Sequence, residues 1–159
     1  MKTLILGLGN PLVTDDSVGL RVVAELRPLL AERPDVEVGE DYWGGLRLME
    51  RLIGYDRAII IDAICTGAPW GTIHRLAPDD LPTQRSASAH DVNLPTALEF
   101  GRQAGMPLPE NRQILLVGIE VEDIFTFGEA CTPAVQAAVA PAVQHIIEVL
   151  RSWPGVQTT

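Results

Sequence analysis

Basic side chains are scarce in this chain: 12 Lys and Arg stand against 21 Asp and Glu, for a formal net charge of -9 at pH 7. A surface of that sign repels phosphate backbones, which excludes nucleic acid as an expected partner. Long apolar runs are missing too. Stretches such as 58–61 and 114–117 fall far short of the about 20 residues that cross a bilayer, so no membrane span is expected. Met1-Lys2 leads straight into Thr3-Leu4-Ile5-Leu6 and a glycine-rich turn, without the apolar h-region and small-residue site of a cleavable leader. The expected location is cytoplasmic.

Cysteine is equally sparse. Cys65 and Cys131 are the only two, they form no Cys-x-x-Cys pair, and they read as ordinary buried residues rather than as a redox or structural-metal framework. There is no H-E-x-x-H, which removes the common zinc-protease geometry, and no G-x-S-x-G or Cys/His signature to mark a nucleophile. The glycines at 7 and 9 invite a dinucleotide site, but Leu12 occupies the position of the third glycine in G-x-G-x-x-G. Close packing and a tight turn explain them better.

What is present is a globular composition. The chain has 159 residues, 47% apolar and 21% charged, near the size of about 150 residues at which one compact domain forms. Residues 1–159 therefore read as a single domain. Segments 3–8, 36–42, 57–63, 71–76 and 113–121 carry strand patterns, and RAIIIDA at 57–63 is a β-branched run suited to burial on both faces of a sheet. Helical spacing appears in Val18, Val22, Val23, Leu26 and Leu30, in 46–53, in 94–104 behind a capping Asn93, and from Thr132-Pro133 to about Trp153. Pro141 is expected to kink or interrupt that last helix. Segment 77–89, rich in Pro, Asp, Ser and Ala, reads as a loop. Strands alternating with helices predict an α/β fold, a three-layer sandwich with a mostly parallel twisted sheet and helices on both faces.

Open parallel sheets bind ligands beyond the carboxyl ends of their strands where chain order reverses, which in a flavodoxin-like order lies between the first and third strands. Acids occupy both positions. Asp15 and Asp16 follow the first strand's turn, and Asp62 ends the third strand. One of the Asp15-Asp16 pair can cap the following helix and the other can face the crevice; the expected assignment is Asp15 as cap and Asp16 in the crevice. Asp62, directly after three isoleucines, is poorly solvated unless partnered, as a capping acid or as a functional one. Of the three histidines, His90 lies where a loop meets a helix start, whereas His74 sits in a strand and His145 in the terminal helix. Asp16, Asp62 and His90 together would make an oxygen, oxygen, nitrogen set suited to a borderline divalent metal with open coordination positions.

Four segments, GLGNPLVTDDSVGLRVV at the start, AIIIDAICTGAPWGTIHRL in the middle, SAHDVNLPTALEFGR before the third helix and VGIEVEDIFTFGEACTPAVQAAV near the end, occur in the order and spacing of one family. On these the chain resembles the nickel-iron hydrogenase maturation endopeptidases across nearly its whole length. Ser17, where glycine is common, and Asp41-Tyr42-Trp43-Gly44-Gly45, in place of a tighter Asp-Gly-Gly, depart from the pattern. The resemblance implies an endopeptidase that trims the C-terminal extension of the hydrogenase large-subunit precursor after nickel insertion. It implies that Asp16, Asp62 and His90 contact nickel held by that substrate, with no metal tightly bound by the protease itself. The implied partner is the nickel-loaded precursor, met by a monomer. Two alternatives remain open at this point. A non-catalytic nickel-binding escort protein would use the same ligands. A peptidyl-tRNA hydrolase shares Gly7-Leu8-Gly9-Asn10-Pro11, but needs a His-Asn pair and a basic face that this chain lacks.

Overall fold

The computed structural model describes residues 1–10, 12, 15–80, 93–122 and 131–153. Side-chain alternation builds its sheet. In β1 (Thr3–Leu8), every residue is buried, with Ile5 facing one side and Leu4, Leu6 and Leu8 the other. β3 (Arg57–Ile64) divides in the same way, Ile59 and Ile61 against Ala58 and Ile60, as does β5 (Ile114–Glu120), Val117 and Ile119 against Ile114 and Leu116. Strands apolar on both faces need cover on both. Helices α1 (Val18–Leu29) and α4 (Pro133–Ser152) pack on the first face, and α2 (Gly45–Arg51) and α3 (Leu94–Gln103) on the second. This is the three-layer α/β sandwich that the strand and helix alternation predicts.

With β2 (Val36–Asp41) and β4 (Ile73–Leu76), the sheet order is β2-β1-β3-β5-β4. β2, β1, β3 and β5 run parallel, and β4 pairs with β5 antiparallel at the edge. From β1 the chain steps to β2 on one side and then to β3 on the other. The crevice between the carboxyl ends of β1 and β3 is therefore the switch point of the fold.

Helix starts follow the sequence at α3 and α4 and depart from it at α1. Asn93 caps α3, its Oδ1 accepting from the Thr96 amide at 3.0 Å. At α1 the residue in the capping position is Ser17, which makes no side-chain cap bond, so the expected capping of α1 by Asp15 is corrected. Thr132 occupies the N-cap of α4 but gives its own helix no side-chain bond either. Of the expected kink or interruption at Pro141, the interruption is corrected: α4 runs through it for 20 residues. Pro141 lies on the exposed side, where water can satisfy the carbonyl that its missing N–H leaves free. By length and composition α4 could cross a bilayer, yet Val135, Val139, Ala142, Ile146 and Val149 are buried in the core on the sheet.

Two glycines bring α1 onto the strand ends. A Cβ on Gly19 would stand 2.5 Å from the carbonyl oxygens of Ile61 and Leu8, and one on Gly9, whose φ is +153°, would stand 2.0 Å from the Asp16 carbonyl oxygen. Only glycine allows backbone to approach backbone so closely. A Cβ on Gly7 would likewise stand 2.4 Å from the Gly19 carbonyl oxygen, so for the glycines at 7 and 9 the packing explanation is the one the structure supports.

Candidate functional site

A cleft of about 420 Å³ opens at the carboxyl ends of β1 and β3. Its floor is Leu8, Gly9 and Asn10 from the turn after β1, and its wall carries Asp16 and Asp62 together. Tyr42, Trp43 and Gly44, between β2 and α2, form the opposite rim with Leu12. Tyr42, Trp43 and Leu12 are more than half exposed, at 58%, 55% and 63%, so the rim is apolar and open to a partner while the wall is acidic. Arg47 stacks its guanidinium 4.6 Å from the Trp43 ring.

Asp16 belongs to a short 3-10 turn, Asp15–Ser17, wedged between β1 and α1. Its Oδ2 accepts from the Asn10 amide at 3.0 Å, which ties the carboxylate to the cleft floor. Asp62 is half-buried near the end of β3, and its Oδ1 accepts from the Ala63 amide at 2.8 Å. Burial pushes the Asp62 carboxyl up to about 7, and the nearby Asp16 charge adds to the rise against the opposing Ala63 bond. A group so placed holds a proton near neutrality and gives it up readily when a positive charge arrives.

His90 lies outside the described residues, as do 81–89 of the expected loop. Among the described residues no group of three His, Cys, Asp or Glu side chains comes together in a way that could hold a metal ion. Asp16 and Asp62 supply two carboxylates to one cleft, a donor set that suits a hard or borderline cation fixed by further ligands from elsewhere.

Asp15 is where the pair divides. It is fully buried, and its carboxylate turns away from the cleft to accept from the Glu122 amide at 3.0 Å and the Thr132 amide at 2.8 Å. The Thr132 hydroxyl lies 2.9 Å from both of its oxygens. Asp16, as expected, is the one in the crevice.

Sequence reasoning missed a second acid. Glu120, at the end of β5, is buried, and accepts from the Thr66 amide at 2.8 Å, from the Thr66 hydroxyl, and from His74 Nε2 at 3.2 Å. Burial alone would raise its carboxyl, but the bonds from Thr66 and His74 hold it below the usual range. The signal was available. Glu120 follows ILLVGI just as Asp62 follows AIII, and the rule that flags an acid at the end of a buried strand applies to both. His74 is thereby a partner of Glu120, whereas His145 lies half-buried on α4, beside a separate groove that it lines with Arg75 and Glu148. Cys131 is buried as expected and Cys65 is exposed, against expectation. Trp70 is also exposed.

A family model described as hydrogenase maturation protease (HycI) matches residues 20–149. The hydrogenase 2 maturation protease of Escherichia coli is 31% identical over 155 residues, spanning 95% of this chain and 92% of that one. The hydrogenase expression/formation protein HupD of Thiocapsa roseopersicina is 26% identical over 155 residues, spanning 96% and 69%. Among solved structures, the hydrogenase maturating endopeptidase HybD from E. coli superposes with a TM-score of 0.76 at 29% identity, covering 95% of this chain and 93% of its own.

Proposed function

Because the chain belongs to the hydrogenase maturation protease family and is therefore an endopeptidase, we propose that it removes the C-terminal extension of a nickel-iron hydrogenase large-subunit precursor once nickel is in place. In this reading Asp16, Asp62 and His90 contact the nickel that the precursor carries. The single observation that supports it most is the meeting of Asp16 and Asp62 in one cleft at the β1/β3 switch point. His90 enters through the sequence resemblance.

The chemistry follows from what the cleft does to charge. Burying the Asp62 carboxylate is costly and the Asp16 charge in the same cleft adds to that cost, which is why Asp62 retains a proton up to about 7. A cation brought by the substrate relieves that cost, so the site favours a metal-bearing precursor over a bare one. Two or three such ligands complete coordination around an ion that the substrate already holds, without competing for it. For cleavage, one carboxylate takes a proton from water as its oxygen adds to the scissile carbonyl carbon. The C–N bond then breaks and the proton passes to the leaving amine. The apolar rim of Tyr42, Trp43 and Leu12 gives the precursor a surface to lie on. The encounter is transient and the protease acts as a monomer.

The test mixes purified protein with nickel-loaded and nickel-free precursor and follows precursor mass. Tail loss is expected only in the loaded sample, and Asp16→Ala, Asp62→Ala and His90→Ala should each abolish it with the fold retained by circular dichroism. Unchanged mass in both samples, with nickel passing to this protein, would overturn the reading in favour of an escort role.

A further inference from the structure

We propose that Asp15 is a positioning residue that holds Asp16 in the cleft by tying the 3-10 turn to the end of β5 and the start of α4. The proposal rests on the reading of the Asp16–Asp62 cleft given above. A fully buried carboxylate is costly unless its charge is answered by hydrogen bonds, and Asp15 makes none that caps the helix it precedes. Among the described residues its partners come from segments remote in sequence. Oδ1 accepts from the Thr132 amide at 2.8 Å and its hydroxyl at 2.9 Å, while Oδ2 accepts from the Glu122 amide at 3.0 Å and lies 2.9 Å from the same hydroxyl. Charge-assisted bonds of this kind are about twice as strong as neutral ones.

The consequence falls on the next residue. Asp15 and Asp16 are consecutive in one tight turn, so fixing the first side chain inward sends the second toward the cleft. On the cleft side Asp16 is held by the amide of Asn10, an exposed turn residue, and by the contact of its carbonyl with Gly9. The stiff side of the turn is the buried one. An amide in place of the Asp15 carboxylate keeps its size but sets an NH2 group against an N–H donor, because both oxygens receive backbone amides.

The experiment compares Asp15→Asn with Asp16→Ala and with Val149→Ala, a buried substitution at the far end of α4 that serves as a control for stability alone. Two readouts are used: the NMR shift of the Asn10 amide proton, which reports its bond to Asp16, and the kcat and KM of processing of nickel-loaded precursor. In Asp15→Asn the Asn10 proton should move toward its position in Asp16→Ala, which lacks the acceptor. Its kcat should fall about 10- to 100-fold with KM little changed, the scale on which a displaced reacting group loses rate. Thr132→Ser, which keeps the hydroxyl, should match the parent. If Asp15→Asn does not fold, Thr132→Val, which removes only the hydroxyl's bonds, is read in the same way. An unmoved Asn10 proton, or a loss of kcat no greater than that of Val149→Ala, overturns the proposal. Normal processing by Asp16→Ala would instead sink the reading of the cleft, leaving the Asn10 shift to judge the tie by itself.

Discussion

At the residue scale, Asp62 and Glu120 act on stability in opposite directions. A carboxyl raised to about 7 in the folded protein, as at Asp62, binds a proton more tightly than in the unfolded chain. Stability is therefore lost as pH rises from about 4 to 7, and the penalty is complete above that. Asp62→Asn removes the penalty. Its melting temperature should exceed the parent's at pH 8, with the gap closing toward pH 4; an equal or lower value at pH 8 would show that the burial of Asp62 costs nothing. Glu120 is held below its usual range, so its contribution is present above the unfolded value and is lost as pH falls through the folded one. Glu120→Gln should cost about 1–3 kcal/mol at pH 7, the scale of a bond to a charged group, and progressively less in acid. Denaturant unfolding at the two pH values checks both the size and the sign. The position of these acids after apolar runs is legible in the sequence. Their partners are not, because Thr66, His74 and Thr132 reach Glu120 and Asp15 only through the fold.

At the element scale, what could be read from the chain were the pieces whose side chains repeat. β1, β3 and β5 alternate between two buried faces, and α3 carries its own start signals in Asn93 and Pro95. The antiparallel direction of β4 has no such local mark, since four residues pair equally well either way and the direction is set by where the chain returns. Pro141 does not interrupt α4, because the cost of a proline depends on which side of the helix it faces. Pro141→Ala should raise stability by on the order of 1–2 kcal/mol, the helix-propensity gain less the entropy returned to the unfolded chain, measured as an increase in melting temperature. Gly19→Ala should do the reverse. Its new Cβ meets two backbone oxygens at 2.5 Å, so α1 must lift from the ends of β1 and β3. A loss of about 1–3 kcal/mol and impaired processing are expected together, whereas impaired processing without destabilisation would contradict the packing argument.

At the scale of the whole molecule, the switch point gathers the acids that matter at one end of the sheet and leaves the other end to packing. That convergence was inferred from strand order alone, since Asp16 and Asp62 belong to different βα units and share no local motif. The open side of β2 has a consequence of its own. An unpaired strand edge is an invitation to add another strand, and copies of one protein are the nearest source. Among the described residues no strand pairs with the outer edge of β2, where Glu37 and Glu40 stand exposed, so a second copy approaching edge to edge would bring these like charges together. Repulsion between them works against stacking into ribbons, and replacing Glu37 and Glu40 with threonine should make the enzyme's sedimentation depend on concentration.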